Sequence, residues 1–181
     1  MLFNLRRRRE RRETIDRLYG AIVAQARLPF FYARLNVPDT VEGRFDLLVL
    51  HVYLLFRRLA GEDEETRAIG QGVFDRFIAD LDDSLREMGT GDLAVPKRMR
   101  SMGEAFYGRA TVYDAALRSD DDASLAGALL RNVYSGEPLA EDAARALATY
   151  VRAAAAQLGT QDAAAIIRTA PVWPTMDTNH V

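Results

Sequence analysis

Apolar residues recur along this chain at helical spacing. Between residues 10 and 27, Ile15, Leu18, Tyr19, Ile22, Val23 and Ala26 follow i, i+3, i+4, i+7, which predicts an amphipathic helix. Pro29 stops it and opens a short second helix, FFYARL, that ends before Pro38. Thr40 is placed to cap a third helix, which runs to Gly61 through the apolar segment FDLLVLHVYLLF at residues 45–56. Apolarity on every side marks the central helix of a bundle. A fourth helix, residues 64–88, carries Ile69, Val73, Phe74, Phe77, Ile78, Leu81, Leu85 and Met88 on one stripe, and Gly89 suits the position just past its end. After the loop TGDLAV, Pro96 restarts a helix bearing Met99, Met102, Phe106, Tyr107, Tyr113 and Leu117. The acidic run at 120–122 caps a sixth helix that reaches Tyr134. Pro138 opens a seventh, with Leu139, Ala143, Ala146, Leu147, Tyr150, Val151 and Leu158; Gly159-Thr160 then separates a short last helix from a tail, PVWPTMDTNHV.

Strand signals are missing. No β-branched run alternates in polarity, no Asn-Gly or Asp-Gly pair marks a hairpin, and alanine, the best helix former, occurs 28 times. The expected fold is an all-α, single-domain helical bundle of about seven to eight helices. Its divisions are a basic arm at residues 1–12, the helical domain at 13–170 and a tail at 171–181.

A chain of 181 residues suits one domain and buries enough surface to fold without disulfides or metal. With no cysteine, thiolate metal sites and cysteine nucleophiles are excluded. Two histidines, one of them penultimate, leave little room for a catalytic triad or a multi-histidine metal site. The expectation is therefore no catalytic residues, no metal and no cofactor. The longest apolar run, twelve residues containing Asp46 and His51, falls short of the roughly 20 a spanning helix needs. His51 reads as a core histidine hydrogen-bonded to a neighbouring helix.

Charge is unevenly placed. Residues 1–12, MLFNLRRRRERR, hold six arginines against one glutamate, while the whole chain carries a formal charge of −2. Arg6, Arg7, Arg8 and Arg9, behind the apolar tip Met1, Leu2, Phe3 and Leu5, suit contact with an anionic surface such as lipid headgroups or a ribosome. The plain alternative is a solvated terminus. No apolar stretch follows the arginines, so the arm is not a secretory signal.

Two motif matches weaken on inspection. Asp80, Asp83 and Glu87 share one helix face, as a Mg²⁺–diphosphate enzyme would need. Yet the fifth residue counted from Asp82 is Arg86 rather than an acid, and no second acidic motif faces it. The loop from Gly89 to Ala94 matches G-x-G-x-x-A, but a helix rather than a strand precedes it. Lys97 is the single lysine among 24 basic residues and opens the cluster KRMR. Met88, Met99 and Met102 lie close to the same loop, and methionine adapts to varied apolar partners. Asp92, Lys97, Arg98, Met99 and Met102 are accordingly the expected contact residues. The competing reading has Gly89 and Asp92 as helix caps, Lys97 solvated and the methionines in the core.

The segment DDSLREMGTGDLAVPKRMRSMGEAFYGR, with LYGAIVAQARLPFFYARLNVPDTVEGRFDLLVLHVYLLFRRL upstream, resembles the ubiquinol–cytochrome c chaperone family. The run R-E-M-G-x-G-D-x-x-V-x-K-x-M, residues 86–99, carries the resemblance most specifically. It implies a helical, non-enzymatic factor that binds newly made cytochrome b and assists assembly of the ubiquinol–cytochrome c reductase complex. Without a long mitochondrial extension the chain looks like a bacterial member. It would then be cytoplasmic, peripheral to the cytoplasmic face of the inner membrane, meeting nascent cytochrome b near that surface or the ribosome, and not DNA. Two other classes stay open on the residues alone: a Mg-dependent prenyl or diphosphate enzyme, and an RNA- or ribosome-binding adaptor.

Overall fold

A single helix buried on nearly every side organises the fold. In the computed structural model, which describes residues 2–87, 95–119 and 121–175, the elements are α1 (Leu2–Ala26), α2 (Pro29–Ala33), α3 (Val41–Ala60), α4 (Glu64–Glu87), α5 (Val95–Arg118), α6 (Asp122–Val133), α7 (Glu141–Thr160) and α8 (Ala163–Arg168). Among the described residues there is no strand, so the all-α expectation holds. α3 touches α1, α4, α5, α6 and α7, and Leu47, Leu50, Val52, Leu54, Leu55 and Leu59 are essentially inaccessible. Each such leucine or valine contributes about 1.5–3 kcal/mol relative to exposure, which makes α3 the element the others assemble on. None of the described helices is long and apolar enough to cross a membrane.

Local chemistry sets the boundaries. The Thr40 hydroxyl accepts from Gly43 N–H at 3.1 Å, Asp121 accepts from Ala123 N–H at 2.9 Å, and Asp162 accepts from Ala165 N–H at 3.0 Å. Each satisfies an orphan donor of a first helical turn. Gly43 is required by close approach: a Cβ there would lie 2.0 Å from the Pro38 carbonyl oxygen.

Three details depart from the sequence reading. α1 starts at Leu2, not near residue 10, so the basic run is helical. Arginine and glutamate are good helix formers, and the i, i+4 pairs Arg6–Glu10 and Arg9–Glu13, both 2.8 Å, support the added turns. Gly159 lies inside α7, which runs to Thr160; the break falls at Gln161, whose carbonyl accepts from Arg58 at 2.7 Å. Leu139, expected on an apolar helix face, is 94 % exposed, because Pro138–Ala140 forms a separate 3-10 turn before α7. The described part of the tail, residues 171–175, is tied to the body: Gln161 accepts from Val172 N–H and donates to Val172 C=O, each at 2.8 Å.

His51 is a core histidine, as expected. Its Nδ1 lies 2.7 Å from the Leu47 carbonyl and its Nε2 lies 2.7 Å from the Tyr150 hydroxyl. A carbonyl only accepts, so Nδ1 carries the proton, Tyr150 donates to Nε2, and Gln25 donates to Tyr150 at 3.1 Å. The chain of bonds ties α1, α3 and α7 together. Burial lowers the imidazole pKa to about 4, against a weaker opposing pull from the Leu47 carbonyl.

Candidate functional site

Where α1, α3 and α4 splay apart, a half-open groove of about 830 Å³ runs between them and is closed on its far side by α5 and α6. Helical periodicity builds two of its walls. Tyr19 and Val23 on α1 and Arg27 just past its end succeed one another at four-residue steps; on α4, Phe77, Leu81 and Ser84 follow at four and three. Phe45 and Leu48 of α3 form the floor, and Phe45 stacks on Phe77 at 5.9 Å between ring centroids. Val23, Phe45, Leu48 and Leu81 stay only partly buried, so apolar surface is presented to the groove. A second hollow over α1 and α4 adjoins it, sharing Tyr19, Val23, Arg27 and Asp80 and reaching Arg12.

The groove walls are polar in a structured way. Arg109 of α5 donates to Asp46 of α3 at 2.6 Å with both side chains largely buried. Burial raises the Asp46 carboxyl pKa, outweighing the pull of Arg109 in the opposite direction. Tyr19 donates to Asp80 at 2.8 Å while the Arg76 guanidinium lies 5.3 Å from the Tyr19 ring centroid. Burial, and then the hydrogen bond to Asp80, raises the Tyr19 pKa. Arg44 is engaged by Asp39 at 2.7 Å.

The acidic face does not gather into a metal site. Asp80 is held by Tyr19 and by Arg76 at 3.5 Å, Asp82 pairs with Arg86 at 2.8 Å, and Asp83 and Glu87 are exposed. Among the described residues no group of three or more acids and histidines is arranged to hold an ion.

Of the contact residues expected from sequence, Met102 lines the groove and Met99, half-buried, lies one turn earlier on α5. Lys97 and Arg98 belong to the first turn of α5, but their side chains lie outside the described residues, as does Asp92 entirely. Arg6, Arg7, Arg8 and Arg9 are exposed on α1, away from the groove; Arg7 reaches Glu65 of α4 at 3.2 Å. Sequence reasoning missed the groove's own polar residues, Arg27, Asp46, Arg109 and Arg131. The available signals were an aspartate inside the most apolar helix and an arginine in register with Tyr19 and Val23.

Comparison with known proteins identifies the family. The profile of a family described as ubiquinol-cytochrome C chaperone matches residues 33–173. The ubiquinol-cytochrome-c reductase complex assembly factor 1 of Xenopus laevis is 28 % identical over 156 residues, covering 86 % of this chain and 78 % of that protein. The Mus musculus protein of the same name is 28 % identical over 119 residues, 66 % of this chain, so the match spans only 40 % of the mouse protein. The crystal structure of the Cbp3 homolog from Brucella abortus superposes with a TM-score of 0.88 at 37 % identity, covering 98 % of this chain and 99 % of that one.

Proposed function

This chain belongs to the ubiquinol-cytochrome C chaperone family, and from that premise we propose that it binds newly synthesised cytochrome b and holds it for assembly into the ubiquinol–cytochrome c reductase complex. The family and the named relatives support a role in assembling that complex. The observation that supports a holding role is the groove: an apolar floor of Phe45 and Leu48, half open, between two walls of helical period that present Val23 and Leu81. Such a trough suits an amphipathic or apolar helix laid along it. We read the protein as a non-catalytic factor, which is what the chaperone description of its family suggests.

The proposed client contact runs along the groove to Met102 and to Met99 one turn earlier, and includes Asp92, Lys97 and Arg98, which precede them in the sequence. The exposed Arg6, Arg7, Arg8 and Arg9 hold the protein at the cytoplasmic face of the inner membrane or at the ribosome, where the client emerges. Photocrosslinking in cells from probes at Val23, Leu81 and Met102, followed by mass spectrometry, tests the reading. Cytochrome b peptides on the groove probes, and not on a probe at Thr149 of α7, are expected. Capture of other proteins without cytochrome b would overturn the client assignment.

A further inference from the structure

Among the described residues, two groove arginines have no hydrogen-bond or ion-pair partner. Arg44 is taken by Asp39 and Arg109 by Asp46, whereas among the described residues Arg27 and Arg131 make no hydrogen bond or ion pair through their side chains. Both are exposed and both line the groove, Arg27 just past the end of α1 and Arg131 in the last turn of α6. Their position complements the negative ends of those helices, which explains why arginine is tolerated there and leaves the guanidinium groups free. A guanidinium fork matches a carboxylate in geometry as well as charge.

We propose that the groove takes an apolar helical segment of a membrane subunit that carries a carboxylate beside its apolar face, and that Arg27 and Arg131 recognise this carboxylate. The proposal rests on the groove being the client site and adds which client segment it selects. The pattern of charge in the walls argues for a peptide over a lipid: Glu42, Asp46 and Asp80 interrupt the arginines, which leaves room for a single carboxylate rather than a continuous cationic surface for headgroups. The lengthwise rows on α1 and α4 match a helix laid along the groove. An ionisable side chain is costly inside a bilayer, so a client segment carrying one gains most from a partner before it is inserted.

The full chain is titrated with three fluorescent Leu/Ala-rich helical peptides of about 20 residues, identical except for a Glu pair, a Gln pair or a Lys pair near one end. Anisotropy at low salt reads binding. The Glu peptide should bind roughly tenfold tighter than the Lys peptide, a ratio expected of one well-formed charge-assisted contact. In R27E/R131E that preference should invert. Equal binding of all three peptides, or a preference unchanged in R27E/R131E, would overturn the carboxylate reading while leaving the groove as the site. Leu81→Gln, a neutral change at a half-buried wall position checked for folding by circular dichroism, should weaken all three peptides alike. Unchanged binding there would overturn the groove itself. Displacement of the Glu peptide by anionic vesicles but not by neutral ones, at concentrations where Glu-peptide selectivity is lost, would make the occupant a lipid and overturn the proposal.

Discussion

The Tyr150 hydroxyl donates to His51 Nε2 at 2.7 Å across ninety-nine residues of chain. With Gln25 behind Tyr150 and the Leu47 carbonyl ahead of His51, every polar atom in this run has one possible role, and the imidazole is held neutral. α1, a wall of the groove, and α3, its floor, are thereby pinned to α7. Phe31 packs edge-on against both rings at 5.3 and 5.0 Å.

The histidine imposes a pH dependence. A folded-state pKa near 4, below the unfolded value of 6.5, means the unfolded chain binds the proton more readily in that interval. The contribution is fully present above pH 6.5 and is lost as pH falls through that window toward 4, on the order of 3 kcal/mol in all. Nitrogen chemical shifts of His51 should report the Nδ1–H neutral tautomer down to about pH 5, and an imidazolium signal at pH 6 would refute this.

Removing one donor should be costly. Tyr150→Phe leaves His51 Nε2 and the Gln25 amide without their partner, an expected loss of about 1–3 kcal/mol. In a domain of this size that lowers Tm by about 2–4 °C per kcal/mol. Thermal unfolding of the variant checks it; an unchanged Tm would mean that water replaces the hydroxyl.

Gly43 places the floor of the groove. Gly43→Ala puts a methyl group against the Pro38 carbonyl and must displace the first turn of α3, with Phe45 two residues on. A destabilisation of about 1–3 kcal/mol is expected in urea unfolding, together with weaker peptide binding. Gly103→Ala on α5, where a Cβ meets open space, serves as the control and should be neutral or slightly stabilising.

The Asp46–Arg109 pair responds asymmetrically to substitution. Asp46→Ala strands a guanidinium that is only 22 % exposed, an expected loss of about 3 kcal/mol. Asp46→Asn keeps an acceptor for Arg109 and removes a carboxylate whose burial is unfavourable, so it should cost less than half as much. Equal losses in chemical denaturation would contradict this account of the pair.

The basic turns of α1 can be tested without unfolding them. Replacing Arg6, Arg7, Arg8 and Arg9 with glutamine keeps helix propensity while removing four charges. Each cation near an anionic leaflet is worth about 1 kcal/mol, so co-sedimentation with anionic liposomes or ribosomes should fall steeply while Tm is nearly unchanged. Undiminished sedimentation would assign the charges to solubility alone.

Reading the chain alone determined the elements and their inner faces. The stripe Leu18, Tyr19, Ile22 and Ala26, the Thr40 and Asp121 caps and the all-round burial of α3 follow from periods and hydrogen bonds spanning three or four residues, which adjacent side chains dictate. His51 was legible because an isolated imidazole in an apolar run must find partners. Other features depended on how helices far apart in sequence meet. Nothing near Asp46 indicates that Arg109 will reach it across sixty-three residues, nor near Tyr19 that Asp80 will accept a hydrogen bond from it. The groove exists because α1 and α4 leave Val23 and Leu81 partly uncovered above Phe45. Among the described residues its unpaired cations, Arg27 and Arg131, stand out only once Arg44 and Arg109 are seen to be taken. Helical period settles which face of each helix turns inward; the crossing of those helices, set by side-chain packing over the whole core, decides which inward-facing residues remain open to a partner.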